Sequence, residues 1–295
     1  MAHTLKRNKE NPLIHIFFIL ACLACLIPFL MLVSVSLSSE EDIMNYGYQM
    51  IPKRIDLTAY EYILQNPAQV INAYKVTIFT SVVGTFISVL IMALTAYSLS
   101  KPAFTFRRVI SFYIFFTMLF SGGLVPSYIL NTHYLHLLDN IWVYILPSLV
   151  TGFYVFMMRT FFAGLPEALF ESAKIDGAGE FRIFFQIAIP LSKPVLATVA
   201  LFGLLARWND WFTALLYIED QELVSLQYLL QRIMQNIELI RQNQDMFAAM
   251  GESIELPNES LRMAMAIVCA GPILVVFPFF QKYFVKGLTV GSVKG

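Results

Sequence analysis

Arg207, Trp208, Asn209, Asp210 and Trp211 are consecutive, and they stand inside an otherwise apolar run. Charge within hydrocarbon is costly, so such residues mark either a pathway or an internal partnership. Arg207 and Asp210 are three residues apart and can pair on one helix face. Two readings stay open. The pair either orients its helix, or it joins Trp208, Asn209 and Trp211 in the wall of a central cavity. Indole faces would there stack on the apolar face of a hydroxylated ring, while Asn, Arg and Asp hydrogen-bond its hydroxyls. A rise of about 1.5 Å per residue from Lys193 puts Arg207 roughly 21 Å along its helix, at a depth suited to a cavity or an outer gate.

Other reactive residue types give less. Cys22, Cys25 and Cys269 lie in apolar runs, where thiols act as small apolar side chains and no disulfide framework is implied. His133 and His136 are one turn apart in an external hairpin, but two ligands do not make a metal site. No Ser/His/Asp set falls within the spans, so no catalytic residue is assigned. None of the 14 glycines precedes a lysine, so the phosphate-cradling Walker pattern is absent and the chain does not hydrolyse ATP by that route.

The elements that position these residues follow from composition. The chain has 295 residues, of which 58% are hydrophobic and 14% charged, against about 25% charged in soluble domains. Zero net charge without a basic stripe excludes nucleic acid as a partner. A membrane-crossing helix needs roughly 20 apolar residues. Six stretches meet or approach this: Leu13–Leu37, Val76–Ser98, Val109–Leu130, Ile141–Met158, Val195–Tyr217 and Met263–Phe280. The first is too long for a signal-peptide core and lacks a cleavage site. Lys and Arg number 13 on the side holding both termini and six on the other, and this asymmetry places the termini in the cytoplasm. Gly122-Gly123 and Pro126 interrupt the third stretch and read as ordinary helix packing, with an irregular outer end as the alternative. The expected fold is therefore an all-α polytopic membrane protein of six helices, N-in and C-in. Its parts are a cytoplasmic N-terminus (1–12), a membrane domain (13–284) and a cytoplasmic tail (285–295).

The cytoplasmic loop 165–194 reads LPEALFESAKIDGAGEFRIFFQIAIPLSKP. Pro166 suits a first helical position and Glu167 the positive end of a helix dipole. Ala168, Leu169, Ser172 and Ala173 share a small-residue face. Gly177 and Gly179 supply a turn, and a second helix is expected from about Glu180 to Ile189, ending before Pro190. The bare residues allow either a surface connector or a docking element.

This segment resembles the EAA motif of binding-protein-dependent ABC importer permeases: Glu171-Ser172-Ala173, then Asp176-Gly177, then Ile187-Ala188-Ile189-Pro190. Ser172 and Ile189 depart from the family's Ala and Leu. The resemblance implies a type I importer permease fold in which Glu171, Ser172, Ala173, Asp176, Gly177, Ile187 and Pro190 couple to a cytoplasmic ATPase. The tail, with Gly287, Leu288, Thr289, Gly291 and Lys294, resembles that of the second permease of maltose-type importers, which reaches between the ATPases. The stretches 120–128 and 207–212 resemble permeases of the oligosaccharide and complex-glycan branch.

By that resemblance the chain is a non-catalytic subunit in a bacterial plasma membrane. It forms half of a pathway for a sugar, and an oligosaccharide is expected. The implied partners are a second homologous permease, two ATP-binding subunits that hold ATP and Mg, membrane lipid and an extracytoplasmic sugar-binding protein touching loop 218–262. No cofactor is expected in this chain. The alternative is a stand-alone secondary transporter driven by an ion gradient. A single intramembrane acid, with an Arg beside it, argues against that class.

Overall fold

A computed structural model describes residues 12–243 and 259–291, with side chains up to residue 281. Among the described residues the chain is helical without a strand; Ser38 and Ile55 form one isolated bridge. It divides into two compact units, Met1–Asn66 with Met234–Ala270, and Pro67–Ile233 with Gly271–Gly295.

In the first unit α1 (Pro12–Ser36) is apolar on all sides and exposed along most of its length, the pattern of a helix that meets lipid or another chain. Beyond it come α2 (Glu40–Tyr46), capped by the Ser39 hydroxyl, and α3 (Thr58–Ile63). The Glu40 carboxylate accepts hydrogen bonds from the N–H groups of Glu259 and Ser260, at the start of a later helix (Glu259–Gly291). An acid there satisfies backbone donors that have no partner within the helix.

The second unit is organised on α4 (Pro67–Ser100), which opens with proline at its first position. Thr77, Thr80, Ser81, Gly84, Thr85 and Ser88 are a buried stripe of small residues at helical spacing, which lets neighbouring helices come close. Against α4 pack α7 (Gly152–Ala163) and α11 (Lys193–Trp208). Their core joins Met92, Ala93 and Ala96 to Val155, Met158 and Val199.

Two of the six expected spans need extending, and three are not single straight helices. Helix α4 begins nine residues before Val76, taking part of the expected external loop into the helix. The third span is α5 (Arg107–Leu119), a break, then α6 (Leu124–Ile129) continuing to Tyr134, with 118° between the halves. Gly123 sits at φ 87°, so the glycine pair makes an irregular end and not a packed continuous helix. The fourth is short 3-10 turns over 141–148 bent 53° from α7. The fifth is α11, a break at 209–211, then α12 (Phe212–Tyr217). The loop 165–194 holds α8 (Glu167–Ile175), α9 (Glu180–Ile183), a π-type turn and α10 (Ile189–Leu191), and meets α11 at 81°. Pro190 lies inside this second arm and does not end it; the chain turns at Ser192.

After α13 (Leu226–Gln242), α14 (Glu259–Gly291) carries the sixth span and continues helically through most of the expected tail. Among the described residues three helices are long and apolar enough to cross a bilayer alone, and up to six crossings result if each bent pair is one span.

Candidate functional site

Helix α8 is a short amphipathic stalk. Its end is a Schellman turn: Gly177 adopts φ 74°, the Ala178 N–H donates to Ala173 O at 2.9 Å and the Gly177 N–H to Lys174 O at 3.0 Å. Pro166 stands one position before the helix, at the cap. Glu171, Ser172, Asp176, Gly177 and Pro190 are exposed, while Ala173 and Ile187 are half-buried against the core of the unit. The expected coupling residues thus divide into an outward surface and a packed base. Exposed apolar side chains border that surface, with Ile175 85% and Phe181 75% accessible.

What holds the stalk was not singled out from the sequence. Phe170 is buried and packs beside Tyr97 of α4 and within reach of the Phe162 and Phe184 rings that surround Tyr97. The Lys101 ammonium lies 3.4 Å from the centroid of Phe170, a cation on an aromatic face. Burial draws its pKa below the ordinary lysine value, with Glu180 opposing. The Tyr97 hydroxyl donates to Glu180 at 3.2 Å, and Lys174 pairs with the same carboxylate at 2.7 Å. The Lys174 hydrogen bond is the main cause that holds the Glu180 carboxyl below its usual range. Phe170, in the middle of α8, was the available signal: a large aromatic among small and polar residues.

At the other candidate site the structure separates residues adjacent in sequence. Arg207 forms no ion pair with Asp210, and the expected pairing does not occur. Its Nη2 donates to Ser148 O at 3.0 Å and to the Ser88 hydroxyl, and its Nη1 to Gly203 O at 3.3 Å. The helix ends at Trp208, so Asp210 leaves the helical register and its carboxylate accepts the Thr213 N–H at the start of α12. Asn209 donates to Leu205 O and accepts from Gln227 of α13, while the Ser225 hydroxyl donates to Asp210 O.

Arg207 and Asp210 line a cavity of about 130 Å³ with Thr85, Ser88, Ser148 and Tyr154. Trp208, Asn209 and Trp211 are outside that wall. Trp208 is buried and Asn209 and Trp211 are exposed. Of the tail residues, Gly287, Leu288, Thr289 and Gly291 are on the last turns of α14, and Lys294 lies outside the described residues. Among the described residues no cluster of three metal-ligating side chains occurs, so His133 and His136 gain no third ligand.

Residues 76–290 match the family model described as "Binding-protein-dependent transport system inner membrane component", and the chain belongs to that family. It is 36% identical over 291 residues to the polygalacturonan/rhamnogalacturonan transport system permease protein YtcP of Bacillus subtilis (strain 168), covering 99% of this chain and 100% of that one. It is 38% identical over 273 residues to protein LplC of the same organism, covering 92% and 90%. Among solved structures it is similar, with a TM-score of 0.78 and 30% identity over 96% of this chain and 99% of the other, to a chain of a bacterial ABC transporter involved in the import of the acidic polysaccharide alginate.

The chain is therefore a multi-pass, non-catalytic membrane component with the fold of an ABC importer permease. Such a permease works with a binding protein, a second permease and an ATPase.

Proposed function

We propose that this permease forms half of the translocation pathway for an oligosaccharide delivered by an extracytoplasmic sugar-binding protein. A second homologous permease supplies the other half, and two ATP-binding subunits supply the ATP and Mg sites. In this reading the membrane domain is residues 13–284, both termini are cytoplasmic, and the exposed face of α8 seats in an ATPase. The observation that carries it is that face: Glu171, Ser172 and Asp176 exposed beside the apolar Ile175 and Phe181, next to a turn that Gly177 closes without strain.

The Arg207 cavity, about 130 Å³, is below the roughly 300 Å³ where small-molecule pockets begin. A saccharide passage therefore needs the second chain, with Asn209 and Trp211 on the shared wall. Both named relatives that handle acidic polymers, the polygalacturonan permease and the alginate importer, make a uronate oligomer the substrate to test first.

The test is ATP hydrolysis and trigalacturonate uptake by the purified complex in proteoliposomes, with and without loaded binding protein. Wild type is expected to show stimulated hydrolysis and uptake. Gly177→Val adds a β-branched side chain at φ 74°, where L-residues lose about 1–2 kcal/mol, and is expected to lose stimulation. A Cβ there meets nothing within 4 Å, so the effect is on the turn and not on packing. Uptake driven by an ion gradient without any ATPase subunit would overturn the importer reading in favour of a secondary transporter.

A further inference from the structure

Helix α8 reaches the membrane core through a small set of side chains centred on Tyr97. Phe170 is 6% exposed and Tyr97 6%, so neither ring can move without its neighbours. Their centroids are 6.3 Å apart, and Lys101 bridges them, with Nζ 3.4 Å from the Phe170 ring and 4.7 Å from the Tyr97 ring. The Tyr97 hydroxyl makes the polar contact to Glu180 on the far side of the glycine turn, and Glu180 is also bound to Lys174. Both arms of the loop therefore converge on one residue of α4.

From Tyr97 the same helix runs on to the other sites. Ser88 and Thr85 lie nine and 12 residues earlier, roughly 13 and 18 Å along the axis, and Ser88 accepts from Arg207 of α11. Thr77, about 30 Å from Tyr97 by the same rise, accepts from the backbone N–H of Leu226, the first residue of α13. Helix α4 has neither proline nor a break between these points. An unbroken helix linking fixed points at its end and middle transmits displacement as one body, because packed interiors are stiff and shift between discrete arrangements.

We propose that Tyr97 is a positioning residue of the transport cycle: by holding Phe170 and Glu180 it transfers movement of the ATPase-facing loop to α4, and through Ser88 and Thr77 to the Arg207 cavity and the external helix. The inference rests on the importer reading above. It assigns the linkage to α4, whereas a loop that merely docks would act through α11, the helix that follows it in sequence.

The test measures trigalacturonate imported per ATP hydrolysed by the complete complex carrying Tyr97→Phe, Glu180→Gln or both. Tyr97→Phe keeps the buried ring and removes only the hydroxyl. The expected result is undiminished co-purification of the ATPase and a fall of about fivefold in sugar per ATP in each single variant, within the range of coupling between sites. The double variant should fall by less than the product of the two single effects, since the Tyr97–Glu180 contact is shared, while Glu180→Gln also takes the charge away from Lys174. Lys101→Met, which keeps the stem and removes the cation over Phe170, should lower the ratio independently. An unchanged ratio in the variants beside a stimulated wild type overturns this inference alone. So does a fall in hydrolysis and uptake in parallel, or loss of the ATPase from the complex, because either makes Tyr97 a merely structural residue. A wild type that shows no stimulation overturns the importer reading, and this inference with it.

Discussion

Replacing Gly84 with alanine tests whether Arg207 is a tie between helices. An added Cβ would lie 2.7 Å from Arg207 Nε, 3.0 Å from its Cδ and 3.3 Å from Ile145 Cγ1. Ordinary carbon contacts begin near 3.5 Å, so the arginine must retreat by about 0.8 Å. It is not free to do so, being held to Ser88, Ser148 and Gly203. Losing one hydrogen bond to a charged group costs about 1.5–3 kcal/mol, and overpacking alone about 1–3 kcal/mol. The alanine returns up to about 1 kcal/mol through helix propensity, leaving a net loss of about 0.5–2 kcal/mol if the arginine gives up one hydrogen bond.

Gly203→Ala is the control, since its Cβ would come no nearer than 3.4 Å to Arg207 Nη1. It gains the same propensity without the clash. The two variants should therefore differ by about 2 kcal/mol, a difference from which propensity cancels. Reversible unfolding in mixed micelles, read by steric trapping, resolves that gap. In an Arg207→Ala background Gly84→Ala should become neutral or stabilising. Equal stability of Gly84→Ala and Gly203→Ala would refute the reasoning, as would a Gly84→Ala penalty that survives removal of the arginine.

Three further outcomes are expected. Thr77→Val removes the acceptor of the buried Leu226 N–H and should cost about 1–3 kcal/mol, with faster amide exchange at Leu226; unchanged exchange would show that the contact is dispensable. Glu40→Gln keeps the shape but not the charge that caps Glu259 and Ser260. It should cost about 1 kcal/mol and deprotect those two amides first. Lys174→Met should raise the Glu180 carboxyl toward its ordinary value. Since the folded pKa of Glu180 is depressed, its contribution is present above the unfolded value and lost as pH falls through the folded one. Thermal midpoints of wild type and Lys174→Met should therefore differ at pH 6 and converge as the pH is taken below about 4; a gap that persists in acid would remove the ion pair as its cause.

Lipid imposes its demands locally along the chain, and that is why the sequence by itself determined so much. Hydrocarbon solvates no backbone, so each crossing must be an apolar helix, and a window of residues is enough to find one. The charge asymmetry around those windows, the stalk with its glycine turn and the family motif in 165–194 are local in the same sense. Gly177 was legible because a backbone position with φ 74° selects its residue without reference to distant neighbours.

Only the tertiary structure decided the rest. Arg207 and Asp210 have the spacing of a helical pair, but the helix ends at Trp208, two serines from other segments offer the arginine its acceptors, and the Asp210 carboxylate accepts from the Thr213 N–H instead. The glycine pair at 122–123 fits either a packed or a broken helix, and only the backbone, with Gly123 at φ 87° and 118° between the halves, decides for the break. Phe170, Tyr97, Lys101 and Glu180 span more than 80 residues of chain, and nothing in any one segment shows that they meet. Spacing fixes which side chains share a face; which partner that face finds depends on where other segments put their acceptors, and burial makes that choice costly to reverse.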